Sequence, residues 1–199
     1  MPDFSYEHEK NAEGFALVCG VDEAGRGPLS GPVVAAACIL PDNWLPDGLN
    51  DSKKLSPKKR ELLFDLIKEN AVAYSIASAS PKEIDEMNIL NATMLAMRRA
   101  ILALPTLPDF ALIDGNMARN MPIPTKTVIK GDALSASIAA ASILAKVTRD
   151  RLCEEDDKNY PEYGFAKHKG YGTAAHMAAI RTFGPTPIHR KSFLKGLSD

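Results

Sequence analysis

Cys19-Gly20-Val21-Asp22-Glu23-Ala24-Gly25-Arg26-Gly27-Pro28 places two carboxylates and a glycine pair between two apolar runs. Phe15-Ala16-Leu17-Val18 leads in, and Pro32-Val33-Val34-Ala35-Ala36-Ala37-Cys38-Ile39-Leu40 leads out. Near-continuous apolar runs of this length read as central strands covered on both faces, here over 15–21 and 32–40. The short Gly/Pro-rich joint between them makes an antiparallel pair. Two carboxylates then stand at the lip of a buried strand, where a desolvated charge needs water, a counter-charge or a metal. The plainer alternative is an acidic turn in which Gly25 and Gly27 supply positive backbone dihedrals.

Further along, the pattern alternates helices and strands. Residues 41–51 form a loop, and Ser56-Pro57 offers an N-cap with proline at the first helical position. Leu62, Leu63, Leu66 and Ile67 give that helix its apolar stripe. Period-two alternation of Val72, Tyr74 and Ile76 predicts a strand over 71–79. Ser80-Pro81-Lys82-Glu83 matches a capping box and opens a helix to about Leu104, with Leu90, Met94, Met97 and Ile101 on one face. Phe110-Ala111-Leu112-Ile113 is a short buried strand ending at Asp114. A strand over Lys126 to Ile129 leads into Lys130-Gly131-Asp132. A long Ala/Ser-rich helix to about Glu155 and a last helix near Thr173–Thr182 complete the chain. The polar residues 1–14 read as a frayed terminus. The whole is an α/β domain with a mixed sheet, with no linker that demands a second one.

Composition narrows the function. Formal net charge is -1, with 24 Lys and Arg against 25 Asp and Glu, which excludes a protein that coats nucleic acid by bulk electrostatics. From Tyr163 to Leu197, however, there are six Lys or Arg and no acidic residue, so a local polyanion-binding face is permitted. Three widely spaced cysteines give neither a zinc pattern nor a disulfide framework. With no signal peptide and no membrane-spanning stretch, a reducing, cytoplasmic setting is expected.

Three acidic sites share one context: Asp22-Glu23 ends a strand, Asp114 ends another, and Asp132 follows a third. If the first and the Phe110–Ile113 strands are parallel neighbours, Asp22 and Asp114 meet at their carboxyl ends, where open α/β sheets form their crevice. Converging carboxylates repel one another, and a hard divalent cation with oxygen ligands, Mg²⁺ or Mn²⁺, relieves this. Each has a plainer reading: Asp114-Gly115 is a common turn, and Asp132 would be a good N-cap. Adjacent strand residues face opposite ways, so Glu23 joins Asp22 only if the strand already breaks there. The glycine spacing does not fit a dinucleotide loop, and no nucleophile–base pair is present. Asp132, Ser135, Ala139, Ser142, Lys146 and Arg149 share one helical face. Its cationic far end is either a solvated face or a track for a phosphate backbone.

These segments together resemble the bacterial ribonuclease HII family. The matching stretches are Asp22-Glu23-Ala24-Gly25-Arg26-Gly27-Pro28, Asp51-Ser52-Lys53-Lys54-Leu55-Ser56, Asn88-Ile89-Leu90-Asn91-Ala92-Thr93 and Leu112-Ile113-Asp114-Gly115-Asn116. Lys130-Gly131-Asp132, the run Ser137 to Asp150, His168-Lys169-Gly170-Tyr171-Gly172-Thr173 and His189-Arg190-Lys191-Ser192-Phe193 follow in family order. The resemblance implies one ribonuclease H-like catalytic domain over residues 1–199, with a helical, basic segment from about 160. It implies a site of four carboxylates, Asp22, Glu23, Asp114 and Asp132, that bind Mg²⁺ or Mn²⁺. It also implies endonucleolytic hydrolysis of RNA in RNA–DNA hybrids and at single ribonucleotides in duplex DNA. The cut falls 5′ to a ribonucleotide and leaves 3′-hydroxyl and 5′-phosphate ends. By the same resemblance the Gly25-Arg26-Gly27 backbone approaches the 2′-hydroxyl, and Tyr171 packs on the neighbouring sugar. Lys53, Lys54, Lys169 and Arg190 are candidate phosphate contacts. Two divalent ions would supply the activated water and charge relief this hydrolysis needs. Nothing demands more than a monomer. A type 3 ribonuclease H and a non-catalytic hybrid-binding module are the alternatives. The former is disfavoured by the Gly-Arg-Gly motif and the latter by all four carboxylates being present.

Overall fold

The computed structural model describes residues 1–195. Its centre is a five-stranded mixed sheet, order β3-β2-β1-β4-β5, built from β1 (Val18–Ala24), β2 (Val33–Ile39), β3 (Ala73–Ala79), β4 (Phe110–Asp114) and β5 (Thr125–Val128). β2 runs antiparallel to both β1 and β3, while β1, β4 and β5 are parallel. The expected antiparallel pair around the Gly/Pro joint is therefore present, and β1 and β4 meet the condition of parallel adjacency on which the meeting of Asp22 and Asp114 depends. Among the described residues there are seven helices: α1 (Ser5–Ala12), α2 (Pro57–Asn70), α3 (Pro81–Leu102), α4 (Ala136–Asn159), α5 (Phe165–His168), α6 (Ala174–Phe183) and α7 (Lys191–Leu194).

Alternation along β1 and β2 feeds two cores. Cys19, Val21, Val33, Ala35 and Ala37 pack with Met97 and Ile101 of α3. Val34, Ala36 and Cys38 pack on the other face with Leu63 and Ile67 of α2 and Ala140, Ile143 and Leu144 of α4. Both faces of β2 are buried, which explains its uninterrupted apolar run. α4 lies directly on β1, and Gly20 makes this possible, since a Cβ there would stand 2.1 Å from the carbonyl carbon of Ser137.

Local signals set the helix starts. The Ser56 side chain caps α2, and Ser80 with Glu83 closes a reciprocal capping box on α3. Two expectations are corrected. The helix from Ser80 is broken at Asn88 (φ 69°, ψ 163°), whose side-chain oxygen accepts from Asn91 N–H and so caps the second half. The expected frayed residues 1–14 contain α1, docked because buried Glu7 accepts from the Ser135 hydroxyl (2.6 Å) and from Ser137 N–H (2.9 Å) at the start of α4. Among the described residues no helix is long and apolar enough to cross a membrane. The C-terminal part is helical as expected; residues 196–199 of that segment lie outside the described residues.

Candidate active site

The parallel register Val21↔Ile113 puts Asp22 and Asp114 one step further on, side by side at the carboxyl ends of β1 and β4. Asp114 Oδ1 accepts from Gly131 N–H (2.6 Å) and, more weakly, from Asp132 N–H (3.4 Å), which draws the turn after β5 against the same edge. Asp132 lies in a short 3-10 turn, Gly131–Ala133, while Ser135 caps α4. The capping role that Asp132 could have filled thus belongs to Ser135.

The strand does not break at Glu23. β1 pairs with β2 through Ala24, so Asp22 faces α4 and Glu23 faces the α3 side. The expected break is therefore not needed: next to last in the strand, Glu23 stays at the shared edge, where its charge still acts on Asp22 and its carboxylate lies 3.4 Å from the Arg26 guanidinium. Burial pushes the Glu23 carboxyl up; Arg26 opposes this and the Asp114 charge adds to it. Asp22 is only 4% exposed, and burial first, then the Glu23 and Asp114 charges, hold it well above the usual carboxylate range. Asp132 is raised by burial and by Asp114 and Asp51, with Lys53 pulling the other way. Lys53 Nζ lies 3.7 Å from Asp132 Oδ2. Burial works against the Lys53 charge, but Asp132, Asp22, Asp51 and Asp114 outweigh it and hold the amine above its usual value.

All four carboxylates therefore sit at one end of the sheet, and Asp22, Glu23 and Asp132 each feel the charge of Asp114. Their donors are oxygen only, and their mutual repulsion is what a hard divalent cation relieves. Among the described residues no three His, Cys, Asp or Glu side chains converge into a ready-made cage. An ion that keeps several waters and takes one or two carboxylates, as Mg²⁺ does, suits this arrangement.

Beside the carboxylates lies a cavity of about 290 Å³ between the Gly25–Gly27 loop, Tyr171 and the Ser142, Lys146 and Arg149 side chains of α4. Gly25 (φ 94°) must be glycine, because a Cβ would fall 2.0 Å from Arg149 Nε. The Tyr171 ring, 49% exposed, borders Gly27. Two histidines support it from below. Thr186 N–H donates to His189 Nδ1 (2.9 Å), so His189 Nε2–H donates to His176 Nε2 (3.0 Å) and His176 Nδ1–H to the Tyr171 carbonyl (2.9 Å). The chain requires neutral rings. Burial, then His176, holds His189 down at about 4, and burial lowers His176.

The candidate phosphate contacts divide. Lys53 and Lys54 are exposed on the turn Ser52–Lys54 beside the site. Lys169 pairs with Glu154 (2.9 Å). Arg190 does not face a phosphate: it is 0% exposed and its donors end on backbone carbonyls. Arg149, expected on a solvated or phosphate-tracking face, is likewise buried, donating to the carbonyls of Lys169 (3.0 Å) and Ser30 (3.3 Å). Sequence reasoning also missed Ser52, whose hydroxyl meets that of Ser142 at 2.9 Å in the wall of the cavity.

This geometry has known relatives. The family model described as Ribonuclease HII matches residues 19–195. Ribonuclease HII of Desulfitobacterium hafniense is 61% identical over 180 residues, 90% of this chain and 69% of the relative. Among solved structures, ribonuclease H2 of Pyrococcus horikoshii OT3 superposes with a TM-score of 0.73 at 31% identity, covering 88% of this chain and 93% of the other. Bst-RNase HIII in complex with Mn²⁺ shares the fold at a TM-score of 0.67 and 20% identity, over 84% of this chain and 63% of that one. With the Asp22-to-Gly27 stretch and the Asp114 and Asp132 edges all inside the matched span, the chain belongs to the ribonuclease HII family.

Proposed function

We propose that this chain, acting as a single-domain monomer in the cytoplasm, nicks duplex DNA 5′ to embedded ribonucleotides as well as cutting RNA–DNA hybrids. As a ribonuclease HII it is a metal-dependent endoribonuclease. Asp22, Glu23, Asp114 and Asp132 are assigned as the catalytic, metal-holding set, with Mg²⁺ or Mn²⁺ as the ion. The observation carrying this assignment is the side-by-side placement of Asp22 and Asp114 on parallel strands, with Asp132 drawn in through Asp114.

Bound there, two divalent cations would activate water and neutralise charge on the phosphate and the departing 3′ oxygen. The residues of the chain do the rest. Asp22 and Asp114, on a rigid sheet edge, fix where the scissile phosphate can sit; Lys53 balances part of the acidic charge. The Gly25–Gly27 backbone, bare of Cβ atoms at both glycines, permits close approach to the 2′-hydroxyl, the group that separates RNA from DNA. Tyr171 offers its exposed ring to the next sugar.

A labelled duplex carrying one ribonucleotide, incubated with and without Mg²⁺, tests the reading. One nick 5′ to that ribonucleotide, with a 3′-hydroxyl end and only when the ion is present, is expected. An intact strand in every cation, or nicking elsewhere, would refute it. Tyr171→Ala is expected to lower kcat/KM at a single embedded ribonucleotide by about tenfold, from lost stacking of about 1–2 kcal/mol. Cleavage of continuous hybrid should fall less, and equal loss on both substrates would remove the ring from junction selection.

A further inference from the structure

The guanidinium of Arg190 spends its donors on one short piece of backbone. Nη2 donates to the Gly25 carbonyl (2.6 Å), Nη1 to those of Arg26 (2.9 Å) and Pro28 (2.7 Å), and Nε to that of Gly31 (2.9 Å). Its own N–H donates to the Leu29 carbonyl (2.8 Å), and Gly31 N–H donates to the Ile188 carbonyl (2.9 Å), so the two segments are laced together. Among the described residues no acidic side chain takes part. A planar fork of five donors can meet four carbonyls at fixed angles, which an ammonium cannot.

This contact has a directional consequence. The peptides Gly25–Arg26 and Arg26–Gly27 are trans, so each N–H points opposite to its carbonyl. With both carbonyls drawn to the buried guanidinium, the Arg26 and Gly27 N–H groups face the other way, and neither has a protein acceptor among the described residues.

We propose that Arg190 is a positioning residue for ribose recognition: it orients two peptide planes so that the Gly25–Gly27 loop presents N–H donors to the 2′-oxygen. This deepens the reading of that loop given above and rests on it.

The test is binding by fluorescence anisotropy in EDTA, using a duplex with one ribonucleotide and the same duplex in all-DNA form, across a salt series. For the wild-type protein the ribonucleotide duplex is expected to bind more tightly; equal affinity would refute the loop's role itself. Arg190→Lys is expected to shrink that ratio about fivefold, the worth of one misaligned hydrogen bond. All-DNA affinity should stay within about twofold and the salt slope unchanged, because no phosphate contact is lost. An unchanged ratio overturns the proposal, since a smaller folded fraction weakens both duplexes alike. So does a salt slope reduced by about 0.9, the signature of a lost phosphate contact. Phe193→Leu provides a variant that keeps every donor: it removes the ring 5.2 Å from the Arg190 guanidinium. A fall of about twofold in the ratio is expected there. No change in Phe193→Leu, should Arg190→Lys fail to fold, also overturns the proposal.

Discussion

Asp22→Asn is expected to reduce cleavage by about 10³-fold or more while making the metal-free protein more stable. The rate loss follows if Asp22 helps hold the ion, since charge stabilisation of about 4 kcal/mol is then removed from the transition state. The stability gain follows from the surroundings of the same carboxyl. It is buried, and burial, Glu23 and Asp114 all act against its charge. An amide of the same shape carries no charge, and its oxygen can still accept from Glu23 N–H, as Asp22 Oδ1 does at 2.7 Å. Relief of about 1 kcal/mol would raise the thermal midpoint in EDTA by about 2–4 °C for a chain of this size.

A carboxyl raised in the folded state binds its proton more tightly there than in the unfolded chain. Its unfavourable contribution is thus complete above the folded value and disappears as pH falls towards the ordinary 3.8. Over that interval the wild-type, metal-free protein should gain stability on acidification relative to Asp22→Asn. Melting both in EDTA across pH, with single-turnover cleavage in Mg²⁺, checks both halves. A residual rate within tenfold of wild type, or a midpoint that drops in Asp22→Asn, would remove Asp22 from this role.

How far the sequence carries depends on what each residue contacts. The strands around Asp22 were readable because burial on both faces leaves an unbroken apolar run, and the helix starts because Ser56 and Ser80 cap locally. The meeting of Asp22 and Asp114 needed only the parallel pairing of two short strands. Arg149 and Arg190 were misread for the opposite reason. A cation in an alternating or helical pattern reads as solvated, and these two are buried against carbonyls 20 to 165 residues away. Backbone acceptors leave no complementary side chain in the sequence to reveal the pairing. Glu7 escaped notice similarly, because its partners are a serine hydroxyl and a peptide N–H at the start of α4.

Gly20→Ala, two residues before Asp22, is expected to have the largest effect on the fold of any single added methyl in the opening stretch. The new Cβ would stand 2.1 Å from Ser137 C, 2.2 Å from Ile138 N and 2.5 Å from Ser137 O, all backbone atoms of α4. A flexible side chain could swing aside, but α4 is held by Ala139, Ala140, Ile143 and Leu144 in the core and by Glu7 at its first turn. Relief requires α4 to lift from β1 by more than about 1 Å, and forced overpacking of a tight interior costs about 3 kcal/mol when backbone must shift. The thermal midpoint should fall by about 6–12 °C. The shift also separates two parts of the site, since Asp22 belongs to β1 and Asp132 to the turn entering α4. A misplacement of about 1 Å can cost about 10²-fold in rate, so cleavage well below the midpoint should fall by more than the unfolded fraction explains. Melting curves and single-turnover rates at 15 °C separate the two effects. Wild-type stability in Gly20→Ala would mean that α4 does not bear on β1 at Gly20. Lost stability with an undiminished rate per folded molecule would mean that α4 does not set the position of Asp132 against Asp22.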